Sequence, residues 1–166
     1  MPDGSEIVDE NAGRATSIPA ITIYQPWASL VIAGWKDYEF RRWDYRTKRH
    51  HIEGKRIAIH ASARPIQRDE VGELLDRIAR RRAHIKEAAV PWLGQVHLSI
   101  GMIPRSAVLG TAVLGKPIEC KNLFGADSNR VEHHVWAWPL ADIIRFEVPI
   151  PARGCQGFWL WRPNDF

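Results

Sequence analysis

The stretch that decides the fold is QPWASLVIAGWKDYEFRR, which runs from Gln25 to Arg42. It opens with Pro26, a residue suited to the first turn of a helix because its missing N–H costs nothing there. Apolar residues follow at helical spacing and end at Gly34, which predicts a short helix over about 26–33. After the glycine, apolar and charged residues alternate, as they do in a strand with one face in the core. A half-buried strand near 37–42 is therefore expected.

Three charged side chains, Lys36, Glu39 and Arg41, lie in this turn and strand. Because side chains alternate between the two faces of a strand, Glu39 and Arg41 share one face. Lys36 follows the carbonyl end of the short helix, where the helix dipole favours a cation. One interpretation is a solvated strand edge with a surface ion pair worth about 0–1 kcal/mol. The other is a charged site beside a cleft, and the residues alone leave both open.

Length and composition describe a single soluble domain. The chain has 166 residues, of which 45% are hydrophobic and 25% charged, enough for a sizeable core. Residues 1–18 are polar and acidic without periodicity, so we expect a disordered tail and a folded domain over 19–166. No apolar run is long enough for a membrane helix, and the N-terminus lacks the features of a secretory signal. A cytoplasmic protein without membrane association is expected, with both cysteines reduced.

Basic residues concentrate between residues 41 and 56, where seven Lys or Arg face two acids. A patch of this charge fits a polyanionic partner, although a mobile, solvated loop has the same composition. The adjacent His50 and His51 lack a third ligand at diagnostic spacing, so no metal site is predicted. The residues expected to contact a nucleic-acid backbone are Arg42, Arg46, Lys48 and Arg49.

The remaining elements follow from periodicity. A long amphipathic helix is predicted over 65–88, stopped by Pro91, with an outer face of arginines that is either solvated or in contact with nucleic acid. Together with the strand near 37–42, further strands are predicted near 21–24, 56–60, 106–114, 135–148 and 155–161. These elements predict an α+β fold, a small barrel of five or six mostly antiparallel strands with flanking helices. No internal repeat or second domain is visible.

Four short motifs, taken in order, resemble the ASCH domain. The resemblance covers roughly residues 20–162 and implies a PUA-like β-barrel with a cleft beside the second and third motifs. The motifs are Gln-Pro-Trp-Ala at 25–28, Gly-x-Lys-x-x-Glu-x-Arg at 34–41, Ile-His-Ala-Ser at 59–62 and Gly-x-Gln-Gly-x-Trp at 154–159.

The resemblance implies a domain that binds RNA or a nucleotide, with single-stranded DNA as an alternative partner. Such a ligand needs aromatic faces for the base, polar groups for its edge and cations for phosphate. The expected ligand-binding residues are Gln25, Trp27, Lys36, Glu39, Arg41, His60, Ser62 and Gln156. All three charged residues should border one pocket, floored by His60 or Ser62 and walled by Trp27. For His60, the alternative is a core histidine bonded to a backbone carbonyl.

A hydrolase is the second hypothesis, and a protein-interaction module the third. One ASCH subgroup hydrolyses N4-acetylcytidine with a lysine, a threonine and a glutamate; Lys36 matches the lysine, but Glu39 stands where that subgroup has threonine. Other family members are described as metal-assisted ribonucleases. Lys36, Glu39 and Arg41 would then be catalytic, with a divalent ion such as Mn²⁺ as cofactor. A binding domain needs no cofactor.

Overall fold

The computed structural model describes residues 16–48, 51–125 and 135–163, and the expected tail lies outside them up to residue 15. Within these ranges the chain forms a mixed sheet and four helices. The strands are β1 Ile18–Ile23, β2 Tyr38–Arg41, β3 Arg56–Ala61, β4 Ala107–Leu114, β5 Ile118–Glu119, β6 Trp136–Pro151 and β7 Phe158–Trp161. The helices are α1 Trp27–Ile32, α2 Arg68–Ala79, α3 Val90–Leu98 and α4 Cys120–Phe124. No helix in this part of the chain is long and apolar enough to cross a bilayer.

The sheet has the strand order β2-β6-β4-β3-β1-β7, and β5 also pairs with β6. β1 and β3 are parallel, whereas the other neighbours are antiparallel. The sheet curls into a half-barrel, which confirms the predicted small α+β barrel with mostly antiparallel strands. It has seven described strands rather than five or six. Since β1, β3 and β6 run in the same direction, their final residues lie along one edge of the sheet.

Helix α1 packs against the sheet and joins the two larger parts of the core. Its Val31 and Ile32 belong to the cluster that contains Trp138 of β6. Leu30, on another side of the same helix, packs with apolar residues of α2 and α3. Each fully buried side chain of this kind contributes about 1.5–3 kcal/mol. The short helix predicted from Pro26 and Gly34 is thus a central packing element.

The predicted helix over 65–88 is wrong at its second half. α2 ends at Ala79, and Arg81 takes a left-handed backbone conformation with φ of 55°, which the helix cannot continue. The proline expected to stop the helix lies instead in the first turn of α3, next to Val90. A proline is tolerated there because the first N–H groups of a helix have no partner within it.

The long strand β6 pairs with β2 and with β4 along different parts of its length because it bends. Its residues 136–139 pair with β2, and residues 140–151 pair with β4. The change coincides with Asp142, which has φ of 46°, and with register shifts against β4. A side chain at Gly110 of β4 would clash with the carbonyl oxygen of Ile144, so the close approach of the two strands requires glycine here. The bend carries the chain from its pairing with β2 to its pairing with β4.

Candidate functional site

A cavity of about 1380 Å³ opens in the described part of the molecule. Together with Ser106, five regions that are distant in sequence form its walls. They are the end of β1 with Trp27, the segment from Lys36 to Trp43, the end of β3 and the residues after it, α2 with the turn that follows, and residues 151–157. The sequence motifs therefore converge on a cavity that only the folded chain creates.

Glu39 of β2 lies at the centre of the charged wall. Lys36 Nζ is 2.9 Å from Glu39 Oε2, and Arg41 Nε donates to Oε1 at 3.0 Å. Lys36 also donates to the carbonyl oxygen of Tyr38, and Arg41 Nη2 donates to that of Thr22 at 3.0 Å. The Glu39 and Lys36 side chains are only 10% and 5% exposed. The interpretation as a solvated surface ion pair is therefore wrong, because this is a buried three-residue network.

The network keeps hydrogen-bonding capacity for a ligand. A carboxylate offers about four acceptor positions, and the described residues use two of those on Glu39. The Arg41 side chain is 27% exposed and lies over the Trp138 ring, with two of its nitrogens already bonded. A guanidinium has five N–H groups, so others are left to meet a ligand. The wall can thus accept from an N–H donor and donate to an anion side by side.

His60 and Ser62 form part of the cavity floor. His60 Nε2 is 2.9 Å from the carbonyl oxygen of Ala152, which can only accept, so Nε2 carries the proton and Nδ1 the lone pair. Burial lowers the pKa of His60, and the hydrogen bond to Ala152 opposes this shift without cancelling it. The structure shows the carbonyl-bonded histidine that was the alternative interpretation, although the ring also lines the cavity. Ser62 Oγ is buried and has no hydrogen-bond partner among the described residues.

Gly154 covers the His60 ring from the other side. A Cβ atom on Gly154 would lie 2.5 Å from His60 Nδ1 and 2.6 Å from Thr22 Oγ1, distances that real Cβ atoms do not reach. The backbone can approach this closely only because glycine has no side chain. The neighbouring Gln156 is exposed and lines the cavity, as expected for a ligand contact.

The aromatic residues of the motifs divide into wall and support. Trp27 and Trp43 line the cavity. Trp159 does not, since its Nε1 donates to Thr22 Oγ1 at 3.1 Å and its ring meets His60 edge-on at 5.5 Å between centroids. Trp159 therefore holds the floor in place from behind.

Gln25 is not brought to the cavity, contrary to expectation. It is 1% exposed, and its amide nitrogen donates to Ser29 Oγ at 2.8 Å and to the carbonyl oxygen of Pro104 at 2.7 Å. Its Oε1 accepts from the Ser29 backbone N–H at 3.1 Å. Both amide hydrogens and the oxygen are thus bonded within the protein. Gln25 anchors the start of α1 and is not positioned to read a base edge.

The basic segment contains the residues expected to contact a nucleic-acid backbone, but none of its described residues between 44 and 55 lines the cavity. Arg46 forms an ion pair with Asp44, with Nη2 2.6 Å from Oδ2. The hydrogen bonds from Arg46 hold the pKa of Asp44 below its usual value. Tyr45 is fully buried, and its hydroxyl donates to Gly115 O at 2.9 Å; burial raises its pKa to about 12. Of the other expected backbone contacts, Arg42 is exposed outside the cavity. The Lys48 side chain and Arg49 lie outside the described residues.

Three arginines that sequence reasoning did not select line the cavity instead: Arg64, Arg77 and Arg153. With Lys36 and Arg41 they make five cations against one carboxylate on the described wall. Arg64 stands two residues beyond the Ile-His-Ala-Ser motif, and Arg153 immediately precedes the Gly-x-Gln-Gly-x-Trp motif. Motif flanks were therefore the signal available in the sequence. Arg77 belongs to α2, whose basic face was expected to be either solvated or in contact with nucleic acid.

The described residues contain no group of three His, Cys, Asp or Glu side chains that could hold a metal ion. Divalent ions such as Mn²⁺ favour oxygen and imidazole ligands, usually several from one site. Glu39 is the one carboxylate on the described cavity wall, and two cations already hold it. These residues do not fit the metal site that a metal-assisted ribonuclease would need.

The fold and the site define the class of protein: a small α+β half-barrel with a cation-lined cavity at one end of its strands. A family model for the ASCH domain matches residues 21–147, which is most of the chain, and the protein belongs to that family. Three of the four motifs lie inside the match, and the fourth, at 154–159, lies beyond it. Comparison with curated proteins gives no match. ASCH domains are generally thought to bind RNA.

Proposed function

We propose that the cavity binds one nucleotide unit of a single-stranded RNA and that Glu39 reads the edge of its base. The observation that carries this proposal is the buried carboxylate of Glu39. Lys36 and Arg41 orient it at the wall of a cavity that also presents aromatic rings and further cations. The general association of the family with RNA agrees with it.

The chemistry of Glu39 favours a base that donates hydrogen bonds. Cytosine, adenine and guanine each carry an exocyclic amino group that an ionised carboxylate can accept from. A buried polar group left unpaired by the wrong base costs affinity, so such a contact discriminates strongly. Uracil carries a carbonyl where cytosine carries its amino group, and it should bind more weakly than cytosine.

The other walls suit the rest of a nucleotide. Trp27 and Trp43 offer apolar ring surface for the base, and stacking of this kind tolerates any base. Arg77 and Arg153 lie on the same cavity and can meet phosphate oxygens. A base inside a duplex cannot reach such a cavity, which favours single strands.

Binding has more support than hydrolysis. Lys36 donates to Glu39 and to the Tyr38 carbonyl oxygen, which suits a cation that orients the Glu39 carboxylate. Glu39 replaces the threonine of the N4-acetylcytidine-hydrolysing subgroup, and the described wall holds no second carboxylate. The metal-assisted route lacks a ligand set in the described residues. Neither hydrolase hypothesis gains a specific observation.

The proposal is tested by calorimetric titration with the four nucleoside 5′-monophosphates. We expect the cytidine nucleotide to bind more tightly than the uridine nucleotide. Glu39→Gln keeps the shape of the side chain but removes its charge, so it should cost about 1–3 kcal/mol of binding free energy. Glu73→Gln makes the same change at an exposed position of α2 outside the cavity and is the matched control.

Two results would contradict the proposal. The first is an absence of binding by the wild-type protein at millimolar nucleotide. The second is equal affinity of the Glu39→Gln and Glu73→Gln variants. Incubation with N4-acetylcytidine checks the enzyme hypothesis in parallel: release of cytidine that Lys36→Ala abolishes would replace binding with hydrolysis as the function.

A further inference from the structure

The cavity is larger than a single nucleotide needs. Pockets for drug-sized ligands occupy about 300–1,000 Å³, and this one reaches about 1380 Å³. Besides the wall around Glu39, the cavity has a second region, where the strands β1, β3 and β6 end side by side. Ser62 N donates to Ile23 O at 3.0 Å, Ser106 N to Ser62 O at 3.4 Å, and Ala152 N to Ser106 O at 2.9 Å. These bonds hold the three strand ends side by side.

A residue of interest follows each of these three strands: Tyr24 after β1, Arg64 after β3 and Arg153 after β6. We call these three residues the rim. All three line the cavity. Glu39, by contrast, belongs to β2, which is at one end of the strand order, four strands away from β1. The rim is therefore built by different strands from the charged wall.

Tyr24 forms an exposed aromatic surface on the rim. The residue is 55% exposed. The Arg64 guanidinium lies 4.8 Å from the ring centroid, and Glu70 fixes that guanidinium with contacts of 2.6 and 3.0 Å. One face of the ring is thus backed by a held cation. A nucleobase can stack on the open surface.

Arg153 supplies a cation that nothing neutralises within the described part of the chain. It is exposed and has no ion pair or side-chain hydrogen bond there. Exposed arginines such as Arg42 and Arg145 also have no ion pair among the described residues, but they lie outside the cavity. On the cavity wall, Arg41 is paired with Glu39 and Arg64 with Glu70. A phosphate is the anion that a free guanidinium beside a stacking platform suits best.

We propose that the rim holds a second nucleotide, so that the ligand is a single-stranded oligonucleotide and not a free nucleoside or mononucleotide. This proposal rests on the proposed function, because the second nucleotide belongs to the same RNA strand as the base that contacts Glu39. The base of the second nucleotide stacks on Tyr24, and Arg153 contacts a phosphate of the linking backbone.

The test compares a mixed-sequence RNA pentanucleotide with cytidine 5′-monophosphate by calorimetry. The pentanucleotide should bind the wild-type protein about ten-fold or more tightly than the mononucleotide, because a stacked base adds affinity. Tyr24→Ala should remove most of this difference, whereas Tyr24→Phe, which keeps the ring, should retain it. Arg153→Ala should weaken pentanucleotide binding and flatten its salt dependence by about 0.7 in the log–log slope. Arg145→Ala changes the same charge at an exposed site outside the cavity and should do neither.

The outcomes separate this proposal from the one beneath it. Equal affinity for pentanucleotide and mononucleotide overturns the rim while leaving the Glu39 site intact. Equal loss in the Tyr24→Ala and Tyr24→Phe variants also overturns it, since the effect would then not come from the ring. If neither compound binds, the proposed function fails and the rim proposal fails with it.

Discussion

In two arginine–carboxylate pairs of this protein the partners are two residues apart in the sequence, but only one of the pairs lies at the cavity. Arg41 donates to Glu39 on the wall of the cavity, and Arg46 donates to Asp44 in a turn outside it. The Asp44 carboxylate accepts all of its described hydrogen bonds from Arg46, including one from the backbone N–H at 2.9 Å. Glu39 also binds Lys36, which approaches from the turn before the strand.

The difference shows what decides whether a charge serves the fold or a ligand. A carboxylate whose partner belongs to its own turn stabilises that turn, and its acceptor positions are already occupied. An acid on a strand that faces a cavity, with cations from two sides, keeps acceptor positions for a ligand. Local charge density therefore misleads: no described residue between 44 and 55, the loop of the basic segment, lines the cavity, while isolated arginines from distant segments do.

Removing Lys36 should produce the largest effect. Lys36→Met leaves the buried Glu39 carboxylate with one cation, and breaking a buried pair costs about 3–5 kcal/mol. We expect the lower end of this range because Arg41 remains. Arg46→Ala removes a cation that is 38% exposed, and although Asp44 is only 9% exposed, it keeps the hydrogen bond from the backbone N–H of residue 46; the cost should therefore lie at the lower end of about 1–3 kcal/mol. Urea unfolding of both variants measures the difference, and equal costs would contradict the distinction between the two pairs.

The floor of the cavity should be nearly as sensitive. Gly154→Ala places a methyl group 2.5 Å from His60 Nδ1, an overpacking that typically costs about 1–3 kcal/mol. Gly94→Ala is the control, since nothing lies within 4 Å of its new Cβ and the residue is inside α3. Alanine is the better helix former there by up to about 1 kcal/mol. Thermal unfolding should show a lower midpoint for the first variant only; an unchanged midpoint would mean that the loop yields freely.

Acid should destabilise the two regions in separate pH ranges. Burial lowers the pKa of His60, so below about pH 6.5 the unfolded chain binds a proton that the folded protein resists, and stability falls. The pKa of Asp44 is lowered by Arg46, so its stabilisation persists above pH 3.8 and is lost as the pH drops further. His60→Gln should flatten the first decline and Asp44→Asn the second. Urea unfolding across pH 3–8 measures both, and a first decline that survives in His60→Gln would rule out this role.

The sequence predicted correctly those features that depend on residues close together in the chain. The short helix, the half-buried strand and the shared face of Glu39 and Arg41 follow from spacing within one stretch, and the structure has them. Pro91 was misleading because a proline can either end one helix or lie in the first turn of the next. The left-handed backbone at Arg81 ends α2 well before Pro91, so the proline belongs to the start of α3.

The parts that failed depend on contacts between distant residues. The partner that satisfies Gln25 is the carbonyl oxygen of Pro104, 79 residues away, so nothing near Gln25 shows that its amide is already used. Arg64 and Arg153 come to the same cavity only because β3 and β6 end on the same side of the sheet. No spacing rule within the chain reports such a meeting.

The central claim, that the cavity at Glu39 and not the neighbouring basic turn binds the nucleotide, is tested most directly by one paired measurement. The affinity for cytidine 5′-monophosphate is determined by calorimetry for Arg41→Ala and Arg46→Ala, after circular dichroism has shown both to be folded. Arg41→Ala should weaken binding about ten-fold, the effect of a lost charge-assisted hydrogen bond, and Arg46→Ala should leave it unchanged. An equal or larger loss in Arg46→Ala would contradict the account.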